Sequence, residues 1–453
     1  MKAVKVQGAV MTARTPNTAL AALFEESGWS RGQLIRAVAR VGAEVGIPFQ
    51  YDESAVPHWL AGSLPRKPVR PLVLEALARR LGRPISAYAA GFAPSPEPSG
   101  GAPDTVAGLA DLGSADMDPS RRSVLGAGVF SAAAVIPGWP DVRDRLEKVQ
   151  VDPHTRIGRP EVAAITAMTE HISDLDDKFG GRMARPMAAA FLVNTIVSAL
   201  RATASDDVKN ALRSAAADHC YLTGYMAMDE RKDGLAQQYY TKALELAGAA
   251  GDHLTYCTTL RGMSVQAVDL GHGPLAVRLA DAAAAASPQA GPRMVAFLAG
   301  QQAHAAAQDG DRVDALLRIK EAERAMDKAE SGAKAFGSYD PSALNYHVGQ
   351  VRYELGDVAG AIESLELADR LREPAYRRTR VRYNAMLAER KLAIGRLEEA
   401  CVDWNRVLDD YPHVQSGRCD DRVRAMLSAL RPHLANTHAR EVFDRGRPML
   451  RVT

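Results

Sequence analysis

Six basic side chains toward the amino-terminal end carry the most readable chemistry in this sequence: Arg31, Arg36, Arg40, Arg66, Lys67 and Arg70. Fixed cations in such a cluster suit the phosphate oxygens of a nucleic-acid backbone. They sit in residues 1–93, which hold 12 Lys/Arg against 6 Asp/Glu, a net +6 in a chain of net +2, leaving −4 for the remainder. A basic module on a mildly acidic body is the distribution expected of a nucleic-acid contact at one end. Catalysis has no comparable footing. No Walker loop or His-Glu-x-x-His occurs, and the 11 histidines are scattered. Asp174, Asp176 and Asp177 form a carboxylate cluster just before Gly180-Gly181, read as a solvated helix end. Cys220, Cys257, Cys401 and Cys419 lack metal-ligand spacing. No enzyme, cofactor or metal is expected. Sparse thiols in a long chain suggest a reducing, cytoplasmic setting, and no apolar run suggests a membrane helix.

The elements that must position those cations form a compact helical module over residues 16–93, after a loose tail at 1–15. Leu20, Leu23 and Phe24 give one face of a first helix that stops near Gly28. Ser30 and Gln33 make a capping box for a second, with Leu34, Val38 and Val41 buried and the arginines off that stripe. A short third helix over Ser54–Ala61 is capped by Ser54, with Val56, Trp59 and Leu60 inward. Pro68 opens a fourth, buried through Leu72, Val73, Ala76, Leu77 and Leu81. Ser30-x-x-Gln33-Leu34 followed by Ser54-x-Val56-x-x-Trp59-Leu60-x-Gly62 resembles the lambda-repressor-like helix-turn-helix, with a link about ten residues longer than usual. That resemblance implies a recognition helix in which Glu53, Ser54, Ala55 and His58 contact bases of double-stranded DNA. None of these makes the bidentate base contact of Asn, Gln or Arg, so phosphate contacts must carry much of the affinity and a homodimer reading two half-sites is expected.

Residues 94–118, rich in Pro and Gly, read as a linker. Arg121-Arg122 and the apolar residues that follow look like a twin-arginine export signal. Lying behind a folded module, they are read instead as a short helix over Val124–Val135 that docks the linker onto the body. Residues 119–215 as a whole are expected to supply docking helices and an N-terminal cap.

From residue 216 to 415 the chain repeats. A small residue is followed 7, 5, 4 and 3 positions on by a turn residue, an alanine, a large residue and a second alanine. The series are Gly224, Arg231, Ala236, Tyr240, Ala243; Ser264, Gly271, Ala276, Ala280, Ala283; Ala303, Gly310, Ala315, Ile319, Ala322; Gly349, Gly356, Ala361, Leu365, Ala368; and Ala388, Gly395, Ala400, Trp404, Val407. The small residue lets one helix press on its partner, the glycine ends that helix in a left-handed turn, and the last three rungs share one face of a second helix. Each unit is a helical hairpin whose apolar face only a neighbour can cover. The ladder resembles the tetratricopeptide repeat with a stretched period. That resemblance implies that Tyr221, Tyr225, Arg261, His304, Tyr346, Gln350, Tyr353, Arg382 and Glu389 line a concave groove for a peptide, a protein or a small molecule, with Arg261 and Arg382 placed for carboxylates. A longer fourth spacing adds a loop near Ser331–Asp340 that would act as a lid or a dimer contact. Residues 416–453 supply a C-terminal cap.

The expected fold is all-α, a small helix-turn-helix domain joined by a linker to an α-solenoid of helical hairpins. The whole arrangement resembles actinobacterial helix-turn-helix regulators with C-terminal tetratricopeptide repeats, including those that restrain antibiotic production and development. It implies a cytoplasmic transcriptional regulator. The alternatives are an adaptor that binds protein alone and an exported helical-repeat protein starting at Met117.

Overall fold

The computed structural model describes residues 15–93, 104–118, 129–134, 136, 152–286, 291–329, 339–372 and 376–450. The tail before Thr15, the paired arginines at 121–122 with 124–128, and most of the loop at 331–338 lie outside them. The fold is all-α, with helices in consecutive packed pairs. The chain divides into two compact units: Met1–Gly100 with Gly128–Val135, and Gly101–Ala127 with Ile136–Thr453.

Among the described residues the first unit has four α-helices: α1 (Thr18–Ser27), α2 (Arg31–Glu44), α3 (Ala55–Leu60) and α4 (Arg70–Leu81). Asn17 caps α1, accepting from the Leu20 amide at 2.9 Å. The Ser30–Gln33 capping box forms in both directions. Leu20, Leu34, Val38, Leu72, Val73 and Leu77 are the centre of the core, with Trp59 beneath α3. Two expectations change here. Ser54 does not cap α3: its hydroxyl and amide both donate to Asp52 Oδ1, the amide at 2.9 Å. Pro68 opens a 3₁₀ turn over Lys67–Val69, and α4 follows at Arg70.

The segment at 129–134 also departs from expectation. It contains a turn rather than a helix and belongs to the first unit rather than to the repeats. Ala133 and Val129 join the core of that unit, and the Ala132 amide donates to Glu75 Oε1 at 2.8 Å.

The second unit begins with α5 (Thr105–Met117), inside the stretch read as linker. The Asp104 side chain caps it, and Val106, Leu109 and Leu112 are buried. A short parallel pair, β1 (Asp152–Arg156) with β2 (Ala202–Thr203), brackets α6 (Arg159–Phe179), α7 (Gly181–Phe191) and α8 (Val197–Arg201). A π-helical turn, Leu192–Ile196, joins the last two. The whole run Gly181–Arg201 is long and apolar enough to cross a membrane, against expectation. In this fold its Ala184, Ala188, Leu192 and Ile196 are core residues. Ile165 sits in the core, whereas Met168 points outward, 44% exposed.

Five hairpins follow, matching the five ladders: α9 (Asp206–Asp229) with α10 (Asp233–Ala250), α11 (His253–Asp269) with α12 (Gly273–Ala285), α13 (Pro292–Asp309) with α14 (Arg312–Asp327), α15 (Pro341–Glu354) with α16 (Val358–Arg370), and α17 (Arg377–Ala393) with α18 (Leu397–Asp410). The rungs work as their spacing implies. A Cβ on Gly224 would meet the Tyr240 ring at 2.9 Å, and one on Gly349 would meet Leu365 at 3.0 Å. Ser264, small but polar, donates to the Ala276 carbonyl at 2.8 Å. The turn glycines hold φ from 74° at Gly271 to 90° at Gly310, and Arg231 holds φ 65° in the unit that lacks the glycine. Around Gly395 a Cβ would touch nothing, so glycine is there for its dihedral alone. The carboxyl end is capped by two helices rather than one, α19 (Gly417–Leu430) and α20 (Thr437–Gly446).

The array closes on itself. Arg378 of α17 reaches Asp176 Oδ2 at 2.7 Å and Asp177 Oδ1 at 3.0 Å on α6. The Gln415 amide donates to the Phe179 carbonyl at 2.6 Å, and the Arg182 amide to the Gln415 carbonyl at 3.1 Å. Arg182 pairs with Asp420 at 2.9 Å and Arg231 with Asp421 at 2.5 Å. Gly181 is pressed so close to Met226 that a Cβ would lie 2.6 Å from its carbonyl oxygen, and a Cβ on Gly417 would lie 2.9 Å from the Glu230 backbone. Only Asp174 of the carboxylate cluster is solvated as expected: Asp176 is 2% exposed and held by an arginine some two hundred residues away, and Asp177 is half-buried beside it.

Candidate functional site

Two places gather the residues singled out from sequence. The first is the basic surface of the amino-terminal unit. Arg31, Arg36, Arg40, Arg66 and Lys67 are exposed, whereas Arg70 is part-buried and donates through Nε to the Pro65 carbonyl at 2.8 Å. A Cβ on Gly32 would clash with the Glu53 carboxylate and come 3.2 Å from Arg36 Nη1. Arg40 instead lines a shallow cleft of about 180 Å³ between α2 and α4, with Trp29, Ala37, Arg79 and Arg80. Arg79 is committed there to a two-pronged pair with Glu44, at 2.8 Å on each prong, and to Glu75 at 2.7 Å. The Arg80 guanidinium lies 5.8 Å from the Trp29 ring centre.

Of the four residues assigned to base contact, Glu53, Ser54 and His58 are exposed, and Ala55 is in the core, 8% exposed. Its methyl packs inward because α3 is only six residues long and needs every apolar position to hold it down. Ala55 therefore cannot touch a base. The hydrogen bonds from Ser54, side chain first, keep the Asp52 carboxyl below its usual range, so negative charge stands at the start of α3.

The second place is the centre of the closed array, a cavity of about 80 Å³. Of the nine groove residues, Tyr225, Arg261, His304, Tyr346 and Arg382 line it. The other four are engaged elsewhere. Tyr221 packs on Tyr240 at 6.0 Å between ring centres and comes 2.8 Å from where a Gly262 Cβ would stand. Gln350 accepts from Arg390 at 2.6 Å, Arg390 in turn covers the Tyr353 ring at 4.1 Å, and Glu389 pairs with Arg422 at 2.8 Å. A space of about 80 Å³ is too small for an α-helix, which with side chains is about 10–12 Å across. The amino- and carboxyl-terminal caps meet across the array.

Sequence reasoning missed Arg418, Asp269, His347 and Tyr383, which also line the cavity. Arg418 comes from the capping helix α19 and arrives only through closure, so no local signal marks it. It pairs with Asp269, and its exposure is 2%. Arg261 lies over the Phe297 ring at 4.0 Å from its centre. Tyr346 and Tyr383 stack with centres 4.2 Å apart and planes 7° from parallel, and His304 meets Tyr346 edge-on at 6.3 Å.

Burial governs the electrostatics. It pushes the His304 imidazole down to about 4, with the nearby Asp269 carboxylate opposing and Arg390 and Arg261 reinforcing it. His347 is likewise driven far below its ordinary value, first by burial and then by Arg261. Asp269 is lowered despite its burial, because the Arg418 and Arg382 guanidinium groups outweigh the desolvation. Burial opposes charge on Arg382, yet Asp269 more than compensates and its value is raised. At neutral pH the cavity thus holds three guanidinium groups, one carboxylate and neutral imidazoles.

His304 also supplies a pH-dependent term. Its folded value lies below the unfolded value of about 6.5, so the unfolded chain takes up the proton first as pH falls. The stability associated with neutral His304 is present above pH 6.5 and is lost as pH drops toward 4. Relative to His304→Gln, the parent chain should lose on the order of 3 kcal/mol between pH 7 and pH 4. Urea unfolding of both chains across that range measures the difference, and parallel curves would refute it.

Residues 20–93, within the first unit, match a family model described as SP15 N-terminal domain. No curated protein matches the chain. The match runs from within α1 to beyond α4 and does not extend to the repeat array.

Proposed function

We propose that this chain is a cytoplasmic, DNA-binding transcriptional regulator whose repeat body senses a small-molecule effector. The observation that carries the reading is the set of exposed arginines on a domain of net +6. Arg31, Arg36, Arg40, Arg66 and Lys67 are unburied and free to meet phosphates, with His58 and Ser54 at the surface beside them. The resemblance to actinobacterial regulators of this domain order supports the same conclusion. Among effectors, the size of the central cavity favours a small molecule over a peptide. Weak, phosphate-led binding by one small domain further suggests a homodimer on two half-sites.

Binding of the intact chain to duplex from its own promoter region should weaken steeply with salt. Each phosphate contact contributes about −0.9 to the slope of log affinity against log salt. Arg36→Ala and Arg66→Ala should each flatten that slope by about 1 and weaken all sequences alike. His58→Ala should instead change preference among sequences. One observation favours a second reading: α3 has only six residues, and one of its four supposed base-contacting residues is core. Salt-independent or absent DNA binding by the intact chain would make the amino-terminal unit a protein-docking module and the chain an adaptor.

A further inference from the structure

The cations of the central cavity are unevenly matched. Around its margin, most arginines have partners: Arg378 holds Asp176 and Asp177, Arg422 holds Glu389, and Arg390 holds Gln350. On the lining itself there are three guanidinium groups and a single carboxylate, Asp269, already taken by Arg418. Arg261 and Arg382 face the same space without a direct ion-pair contact to any carboxylate among the described residues, and the field of the single Asp269 is shared between Arg382 and Arg418. Nη1 of Arg418 and Nε of Arg261 are buried with no hydrogen-bond partner. Buried donors of this kind are rare in folded proteins and call for an acceptor. The imidazoles cannot supply one with charge, and they add no positive charge either.

We propose that the cavity binds a phosphate-type dianion, held by Arg261, Arg382 and Arg418. Two uncompensated positive charges remain after Arg418 and Asp269 offset each other, and a dianion balances them. Planar guanidinium groups meet tetrahedral oxyanions through paired N–H donors, which a lone lysine does not offer. The volume of about 80 Å³ fits the head group and excludes a nucleotide or a peptide. Tyr225 and Gln301 on the same lining offer further hydrogen bonds. The three arginines come from α11, α17 and α19, so the anion would touch the second hairpin, the fifth and the cap together. It would bind best when the array is closed, which is how an effector in this cavity could be sensed. The proposal deepens the sensing role given to the repeat body and rests on that reading. It is tested without DNA, so its failure leaves the DNA-binding result standing.

The test is calorimetric titration of the intact chain with sodium phosphate, against sodium chloride of equal ionic strength. Saturable binding of one phosphate per chain is expected. Arg261→Gln and Arg382→Gln should each weaken it about tenfold or more, while Arg324→Gln, on the exposed face of α14, should leave it unchanged. Arg261→Lys keeps the charge and guards against an effect through the fold: it should bind better than Arg261→Gln. A parallel titration with phenyl phosphate separates the sources. Binding of phosphate alone assigns the free ion, and comparable binding of both assigns the phosphoryl group of a larger molecule. No saturable heat beyond chloride with either probe would overturn the proposal. So would undiminished binding in Arg261→Gln with its helicity intact.

Discussion

Replacing Arg378 by alanine should cost about 3–5 kcal/mol and open the array at its seam. The guanidinium is 5% exposed and serves Asp176 at 2.7 Å and Asp177 at 3.0 Å, and its charge also offsets Asp229 nearby. Breaking a buried ion pair from one side leaves charge in a poor solvent with no partner, which is where costs of that size arise. Asp176 already feels the strain: burial pushes its carboxyl up to about 7 even with Arg378 in place. Asp177, 31% exposed at its side chain, can turn to water, so Asp177→Asn should cost far less. Equilibrium unfolding gives the loss, and hydrogen exchange at the Arg182 and Gln415 amides locates it. An Arg378→Ala chain with parental stability and unchanged protection there would mean the seam is held by backbone contacts alone.

Trp404→Ala should be of similar size, about 3–5 kcal/mol. Trp404 is the large rung of the fifth ladder and is wholly buried, against Ala385, Ala388, Tyr411 and Met426 of the last hairpin and its caps. The other ladders place Tyr240, Ala280, Ile319 and Leu365 at this rung, so the fifth unit carries the largest side chain and the largest cavity on truncation. In stacked repeats each unit is stabilised by its neighbours, so the loss should spread into α19 and α20. Trp404→Phe keeps most of the volume and should cost much less. Near-equal costs for the two variants would show that the ring edge, rather than bulk, holds the unit.

The hairpins were legible because their information is local. A small residue, a left-handed turn and an alanine face recur within 20 residues, and each rung touches the partner its offset names, as Gly224 touches Tyr240. Even the exception follows the rule, since Arg231 takes the left-handed dihedral where the glycine is missing. The amino-terminal helices were legible for the same reason, through Ser30, Gln33 and the apolar stripes. What stayed hidden depends on how small rotations between units accumulate. Asp176 reads as a solvated carboxylate because nothing within a hundred residues hints at Arg378. Arg418 reads as part of a cap, and only closure carries it to Arg261 and Arg382. The open groove was likewise inferred from what single hairpins usually present, and five of its nine residues do face one space, now enclosed. Helix α5 was missed because Pro and Gly on either side dominate the composition of the window, though Asp104 marks its start.

Closure also limits how this protein can change over generations. Open arrays lengthen and shorten readily, because duplicating one unit merely moves an end. Here the ends are spoken for: Gly181 must fall against Met226, Gly417 against Glu230, and Arg378 against Asp176. One hairpin more or fewer would carry those partners past each other by the full rotation of a unit. The count of repeats is therefore held by geometry, and variation is confined to side chains and to the loops between helices.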